Sequence, residues 1–351
     1  MNRSSNFELM RILAMLLIIT HHYSVHGGWG YSYGFSIHKF YIQSLSMGGK
    51  VGVNLFVLVS GYFLCDRQIK INAISRVLFQ TWFYSVVIML IFLSQQPLNI
   101  KEVITSLLPF GYWFVNSFLC LIAFSPLLNI IINNINKRKY AFLIFISTII
   151  VITPILNGSI GNVGFFAYLY FVGAYLKRYC EHITISWKTL MMTMILSIAA
   201  ILASMVFLDM ASLRNKIFDH PLFFIKMNSP FIIILSVSVF VLFKQIKIKN
   251  RRFINSVSSL MFGVYLIHDN NLVRPFIWGR LFNVSQYENS SSLYSYSIIV
   301  ITSIFISCTL LEFTRKYIFD LFKIDKKIDE IIHKAITRVQ ALSYSEKQTK
   351  E

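Results

Sequence analysis

The residues best suited to chemistry lie in the first apolar segment of the chain: Glu8, Arg11 and His22, with His21 adjacent. Arg11 and His22 are eleven positions apart, so a helix places them on one face, roughly 16 Å apart along its axis. Ionisable groups in an apolar helix face a protein interior or a cavity because exposure to lipid is costly. A guanidinium suits phosphate recognition, and an imidazole can act as a general base. Glu8, three positions before Arg11, can hold its orientation.

Each of these residues also has a structural interpretation. Arg11 can be a snorkelling anchor, and His22 can be a packing histidine. The pair on one face, with an acidic neighbour, favours a functional role. His21 lies about 100° round the helix from His22, and either imidazole remains a candidate base, with His22 preferred.

The composition predicts that a membrane protein positions these groups. Of the 351 residues, 56% are hydrophobic and only 14% are charged, whereas soluble domains carry about 25% charged residues. This argues against a soluble enzyme and excludes a disordered chain. A membrane-spanning helix needs about 20 apolar residues. We therefore predict an all-α integral membrane protein with about ten transmembrane helices, at 8–25, 48–65, 75–94, 112–133, 140–156, 162–178, 188–208, 229–243, 256–278 and 293–314.

The charge balance indicates how these helices are oriented. There are 33 Lys and Arg against 15 Asp and Glu, a net charge of +18. Most of the cations lie in alternate loops and in the tail, so the positive-inside rule predicts that both termini are cytoplasmic. The lipid bilayer is therefore the expected partner, and nucleic acid is not. The sequence does not indicate an oligomeric state.

The expected organisation is a membrane domain over 1–319, a basic amphipathic cytoplasmic helix over 320–342 and a disordered tail over 343–351. Apolar residues recur at helical spacing between lysines in the second of these segments. A basic amphipathic helix of this kind commonly lies on the inner leaflet.

The ninth predicted span carries an unusual run of polar residues, from His268 and Asp269 to Arg274. One interpretation is a broken helix that lines a cavity. The other is a helix that ends at Asp269 and continues as an outer loop. His268 either takes part in the chemistry or fixes a neighbouring helix.

Two further positions have alternative interpretations. Ser60 precedes Gly61 but lacks the flanking glycine of a nucleophile elbow, so a close approach of helices is the preferred interpretation. Trp113 is either an interfacial anchor or a cavity wall. The four cysteines and the histidines show no metal-type spacing, so we expect no metal.

Four blocks of the sequence resemble the bacterial membrane-bound acyltransferase family 3. That family has an acidic residue three positions before an arginine, then an Arg-x10-His spacing, as Glu8, Arg11 and His22 do. Its second span reads Gly-Val-x-Leu-Phe-Phe-x-x-Ser-Gly-Phe/Tyr, similar to residues 52–62. The other similar blocks are Tyr-Trp-Phe at 112–114 with Ser-Pro-Leu-Leu-Asn at 125–129, and Phe-Gly-Val-Tyr-Leu-Ile-His at 262–268.

The resemblance implies an O-acyltransferase in the bacterial plasma membrane. Such enzymes transfer an acyl group, often acetyl, from cytoplasmic acetyl-CoA to a hydroxyl of a cell-envelope polysaccharide or a lipid-linked oligosaccharide precursor. The implied roles are donor binding for Arg11 and catalysis for His22. The supporting candidates are Glu8, His21, Ser60, Trp113, His268 and Asp269.

Two positions depart from the family pattern. The family often has Arg-x-x-Arg in the first cytoplasmic loop; Arg76 matches the second arginine and is a further donor-binding candidate, but Ala73 replaces the first. Asn54 stands where many members have an acid. The alternative function is a transporter or flippase for a lipid-linked sugar or small polar solute. Transporters often contain related halves, and the sequence shows no internal repeat.

Overall fold

The computed structural model describes residues 4–31, 34–67, 71–95, 97–108, 111–334 and 337, with the backbone alone over 154–160. The described part is all helix and loop, without a strand. Among the described residues, six helices are long and apolar enough to cross a membrane, with Ile37–Leu64 counted as one of them. The predicted all-α membrane fold is therefore confirmed.

The helices follow one another through short connections. In chain order they are α1 Ser5–His26, α2 Ile37–Leu45, α3 Met47–Leu64, α4 Ile71–Leu93, α5 Ile100–Leu107, α6 Trp113–Asn134, α7 Lys137–Ile152, α8 Pro154–Tyr179, α9 Trp187–Ser212, α10 Pro230–Gln245, α11 Arg252–Ser258, α12 Met261–His268, the short α13 Val273–Pro275 and α14 Leu293–Leu321. A π-helical turn, Phe276–Leu281, follows α13.

Each predicted span contains helical residues, but four of the spans are not one long, continuous helix. Helices α7 and α10 have only 16 residues each. Helix α8 is interrupted at Gly161, whose φ of 59° lies in the left-handed region that favours glycine. The ninth predicted span is divided into α11 and α12. The number of membrane crossings and the side of the termini remain predictions.

Glycines allow α3 to lie directly against α1. A Cβ atom on Gly52 would be 2.5 Å from the Ala14 carbonyl oxygen, and one on Gly49 would be 2.5 Å from the Cβ of His21. Side chains at these positions would separate the two helices. The close packing fixes the position of α3 along the length of α1. These two helices carry most of the polar residues of interest.

Glycines also allow α3 to lie directly against α8. A Cβ atom on Gly61 would be 2.3 Å from the Tyr170 carbonyl oxygen, and one on Gly173 would be 2.3 Å from the Leu58 carbonyl oxygen. The Ser60 hydroxyl donates to the Phe56 carbonyl within its own helix, at 2.8 Å. The geometry agrees with the small-residue interpretation of this pair.

The predicted C-terminal amphipathic helix is described only in part. Residues 324–334 are helical, whereas 338–342 and the expected tail at 343–351 lie outside the described residues. Asp329 in this segment pairs with Arg76 of α4. The adjacent guanidinium lowers the pKa of the Asp329 carboxyl from its ordinary value.

Candidate active site

A cavity of about 710 Å³ lies along one face of α1. This face contributes residues at helical spacing, from Arg11 at one end to His22 and His26 at the other. Arg11 and His22 therefore line the same cavity, separated by three turns of helix. The remaining wall is mainly apolar and aromatic and comes mostly from α3, α4, α6 and the α11–α12 region. It includes Val53, Phe56, Val77, Trp113, Phe114, Phe118, Met261, Phe262 and Tyr265.

Glu8 orients the guanidinium at the Arg11 end of the cavity. Arg11 Nη1 donates to Glu8 Oε1 at 2.7 Å, and the Ser258 hydroxyl donates to Glu8 Oε2 at 2.6 Å. Glu8 is only 6% exposed, whereas the Arg11 side chain is 32% exposed. The carboxylate thus holds Arg11 from behind, and a guanidinium has further N–H groups for a ligand.

His22 and His268 form a hydrogen-bonded pair across the cavity end. His268 Nδ1 lies 2.6 Å from the Val264 carbonyl oxygen, which can only accept, so this nitrogen is the donor. In a neutral imidazole the other nitrogen is then an acceptor. His22 Nδ1 lies 3.0 Å from His268 Nε2 and must donate to it. His22 Nε2 is consequently left with a free lone pair, as a general base requires.

Asp269 lies where it can stabilise a protonated His22. Its Oδ1 is 3.4 Å from His22 Nε2, and the residue is 1% exposed. Arg274 Nε donates to the same oxygen at 2.7 Å, which holds the carboxylate in place. Helix α12 ends at His268, so Asp269 follows the helix, while Arg274 lies in the short α13; both line the cavity. Features of both interpretations of the ninth span are therefore present.

His21 also lines the cavity but has different surroundings. Its Nδ1 donates to the Ser46 carbonyl oxygen at 2.7 Å, which holds the ring against the start of α3. Among the described residues, His21 forms no ion pair with a carboxylate, whereas His22 lies near Asp269. The anionic partner of His22 makes His22 the stronger candidate for the base.

One group of donor atoms has the proximity that a metal site needs. Ligand atoms of His22, His26 and Asp269 lie within 4.8 Å of one another, a set that transition metals accept. Asp269 Oδ1 already accepts from Arg274, and this cation opposes a second positive charge. The residues therefore fit a metal ion poorly, despite the suitable ligand types.

The other predicted site residues are distributed as follows. Trp113 is part of the cavity wall, although 39% exposed. Ser60 and Arg76 do not line the cavity. The guanidinium of Arg76 is paired with Asp329 instead, so the structure does not bring Arg76 to Arg11 as a second donor contact.

Lys50 and Tyr265 are among the cavity residues that sequence reasoning missed. Tyr265 is 5% exposed and its ring packs edge-on against His268, with 6.2 Å between ring centroids. Its spacing of three residues from His268 is the signal that could have revealed it. Lys50 sits beside the second-span block, and its position within an apolar helix was a sufficient reason to examine it.

Comparison with known protein families identifies the family of this chain. A family model described as "Acyltransferase domain", of the type Acyl_transf_3, matches residues 4–312. The chain therefore belongs to membrane acyltransferase family 3 and is a multi-pass membrane acyltransferase. Neither the comparison with curated proteins nor that with solved structures gave a match.

Changing Asp269 to Asn is expected to lower kcat by about two orders of magnitude, because the imidazolium of His22 loses its anionic partner. The KM for the acyl donor should change little, since Arg11, the candidate for donor binding, lies at the opposite end of the cavity. Steady-state kinetics of the purified variant measure both constants. Asn271→Ala is the matched control, since Asn271 is exposed and does not line the main cavity. Unchanged kcat in Asp269→Asn would remove Asp269 from the site.

Proposed function

We propose that this acyltransferase moves an acetyl group from acetyl-CoA to a hydroxyl group of a cell-envelope polysaccharide or its lipid-linked precursor. The observation that carries the proposal is the hydrogen-bond chain from the Val264 carbonyl through His268 to His22. This chain leaves His22 Nε2 free to accept a proton. The same cavity extends to Arg11, which suits a donor phosphate.

The reaction is a direct transfer within the cavity. The acceptor hydroxyl gives its proton to His22 Nε2 as its oxygen attacks the thioester carbonyl carbon. The carbon–oxygen bond forms, the carbon–sulfur bond breaks, and the proton passes from His22 to the departing thiolate. Asp269 Oδ1 stabilises the transient imidazolium from 3.4 Å. The apolar wall excludes water that would hydrolyse the thioester.

The cavity's length suits a donor that binds at one end and reacts at the other. Arg11 and His22 are roughly 16 Å apart along α1, a separation comparable to the reach of a pantetheine arm. Phosphates held by Arg11 at the cytoplasmic side would thus place the thioester near His22. The acceptor would enter from the extracytoplasmic side of a bacterial plasma membrane.

Reconstitution into liposomes tests the proposal. We expect wild-type protein, given [¹⁴C]acetyl-CoA and an extracted envelope glycan, to release free CoA and label the glycan in equal amounts. Alkali should remove the label, as expected of an ester. Movement of a polar solute or lipid-linked sugar without CoA release would instead favour the transporter or flippase.

Replacing Arg11 with Gln should raise the KM for acetyl-CoA about tenfold to a hundredfold, because a charge-assisted contact to phosphate is lost. The effect on kcat should be smaller, since the base is untouched. Arg11→Lys should lie between the two proteins. Arg280→Gln is the control, because Arg280 is exposed and lies outside the cavity lining. An unchanged donor KM in Arg11→Gln would contradict the assigned role.

A further inference from the structure

The cavity lining contains a second cation, Lys50, which has no part in the proposed binding of the donor. Lys50 projects from α3 on the face that also brings Gly49, Val53 and Phe56 to the cavity. It is half-buried. In the part of the chain that the structure describes, Lys50 forms no ion pair with a carboxylate.

The other charges in the cavity lining are already balanced. Arg11 is paired with Glu8, and Arg274 is paired with Asp269. Lys50 is therefore the unbalanced charge among the described lining residues. Placing an ammonium against an apolar wall carries a desolvation penalty, which a bound anion would offset.

Packing of α3 against α1 fixes the position of Lys50 along the length of the cavity. Gly52 lies against Ala14 of α1, and Gly49 lies against His21. Lys50 is consequently level with the histidines, while ten residues of α1, about 15 Å, separate Arg11 from His21. The two cations thus stand at opposite ends of the cavity.

We propose that Lys50 binds an anionic group of the acceptor, a phosphate or a carboxylate, close to the hydroxyl that is acylated. The inference rests on the proposed function, in which the donor phosphates occupy the Arg11 end. The arm that reaches His22 from there is uncharged, so the acceptor must supply the anion. Lys50 thereby selects acidic glycans over neutral ones, and it acts at the acceptor-binding step.

Binding is tested first, without donor. Purified protein in detergent is heated with a glycerol-phosphate oligomer, an oligogalacturonate or the neutral chitotetraose. The two anionic probes represent phosphate and carboxylate sources. We expect at least one of them to raise the melting temperature of the wild type and of Lys50→Arg, but not of Lys50→Met. Chitotetraose should give no comparable shift. Lys188→Met is the matched control, because Lys188 is exposed and outside the cavity.

Absence of any shift in the wild type, or equal shifts in wild type and Lys50→Met, would overturn the proposal. Because no acetyl-CoA is present, this result leaves the acyltransferase function intact. Conversely, anion binding without any acetyl transfer would count against the proposed function and leave the Lys50 site standing.

Kinetics supply the second measurement. With the anionic probe that binds, Lys50→Met should raise the acceptor KM about tenfold to a hundredfold and leave the KM for acetyl-CoA unchanged. An equal fall in kcat on anionic and neutral acceptors would instead assign Lys50 to the transition-state oxyanion and refute the role in acceptor recognition.

Discussion

Replacement of His22 by alanine is expected to lower kcat for acetyl transfer by about 10²–10⁴-fold, the range for loss of a general base. His22 Nε2 is the nitrogen that the Val264–His268 hydrogen-bond chain leaves without a proton. Asp269 Oδ1 lies 3.4 Å from it, and among the ion pairs of the described residues no other histidine of the cavity lining is paired with a carboxylate. Radiolabelled transfer from acetyl-CoA in liposomes measures the loss.

Two histidine variants serve as controls for this result. His21→Ala should lower kcat less than about tenfold, because His21 faces Lys50 rather than a carboxylate. His38→Ala should retain wild-type activity, since His38 lies outside the cavity lining. Equal melting temperatures would show that the variants are folded. If His21→Ala were inactive and His22→Ala active, the two assignments would have to be exchanged.

The largest expected effect on stability comes from a buried ion pair at the end of α9. Lys39 Nζ contacts Asp209 Oδ1 at 2.7 Å, with the two side chains 7% and 0% exposed. Lys39 also donates to the Gly34 carbonyl at 2.9 Å. Lys39→Met leaves Asp209 buried without its counter-charge, and we expect a loss of about 3–5 kcal/mol in the free energy of unfolding. Thermal unfolding in detergent detects the change.

Replacing both residues distinguishes the cost of an unpaired buried charge from other effects of the substitution. Lys39→Met with Asp209→Leu should lose less than Lys39→Met alone, because no charge remains buried. The exposed pair between Lys326 and Glu330, 4.0 Å apart, provides the control, and Glu330→Gln should change stability by about 1 kcal/mol at most. A single variant as stable as the wild type would mean that water or another group compensates Asp209.

The helical architecture and one face of the site were predictable because both depend on local periodicity. The spacing of Arg11 and His22 already placed them on one side of α1, and the apolar segments predicted helices where the structure has them. The sequence could not predict pairings between distant segments. His22 and His268 are 246 positions apart, and Lys39 and Asp209 are 170 apart.

The surroundings of Arg76 illustrate the same limit. Arg76 was associated with Arg11 through a motif, but its partner is Asp329, 253 positions away. Which partner a cation finds depends on how the helices pack. The position of Lys50 in an apolar helix marks it in the sequence, but its lack of an ion pair among the described residues depends on helix packing, which a linear pattern does not contain.

The short helices have a consequence for the membrane itself. A helix of 16 residues such as α10 is about 24 Å long, whereas the hydrocarbon layer of a bilayer is about 30 Å thick. A span this short is accommodated by local thinning of the bilayer or by flanking residues that reach to the interface. Helix α10 packs against both α1 and α3. Because α10 contacts these two helices, we expect the rate of the proposed transfer to depend on lipid chain length.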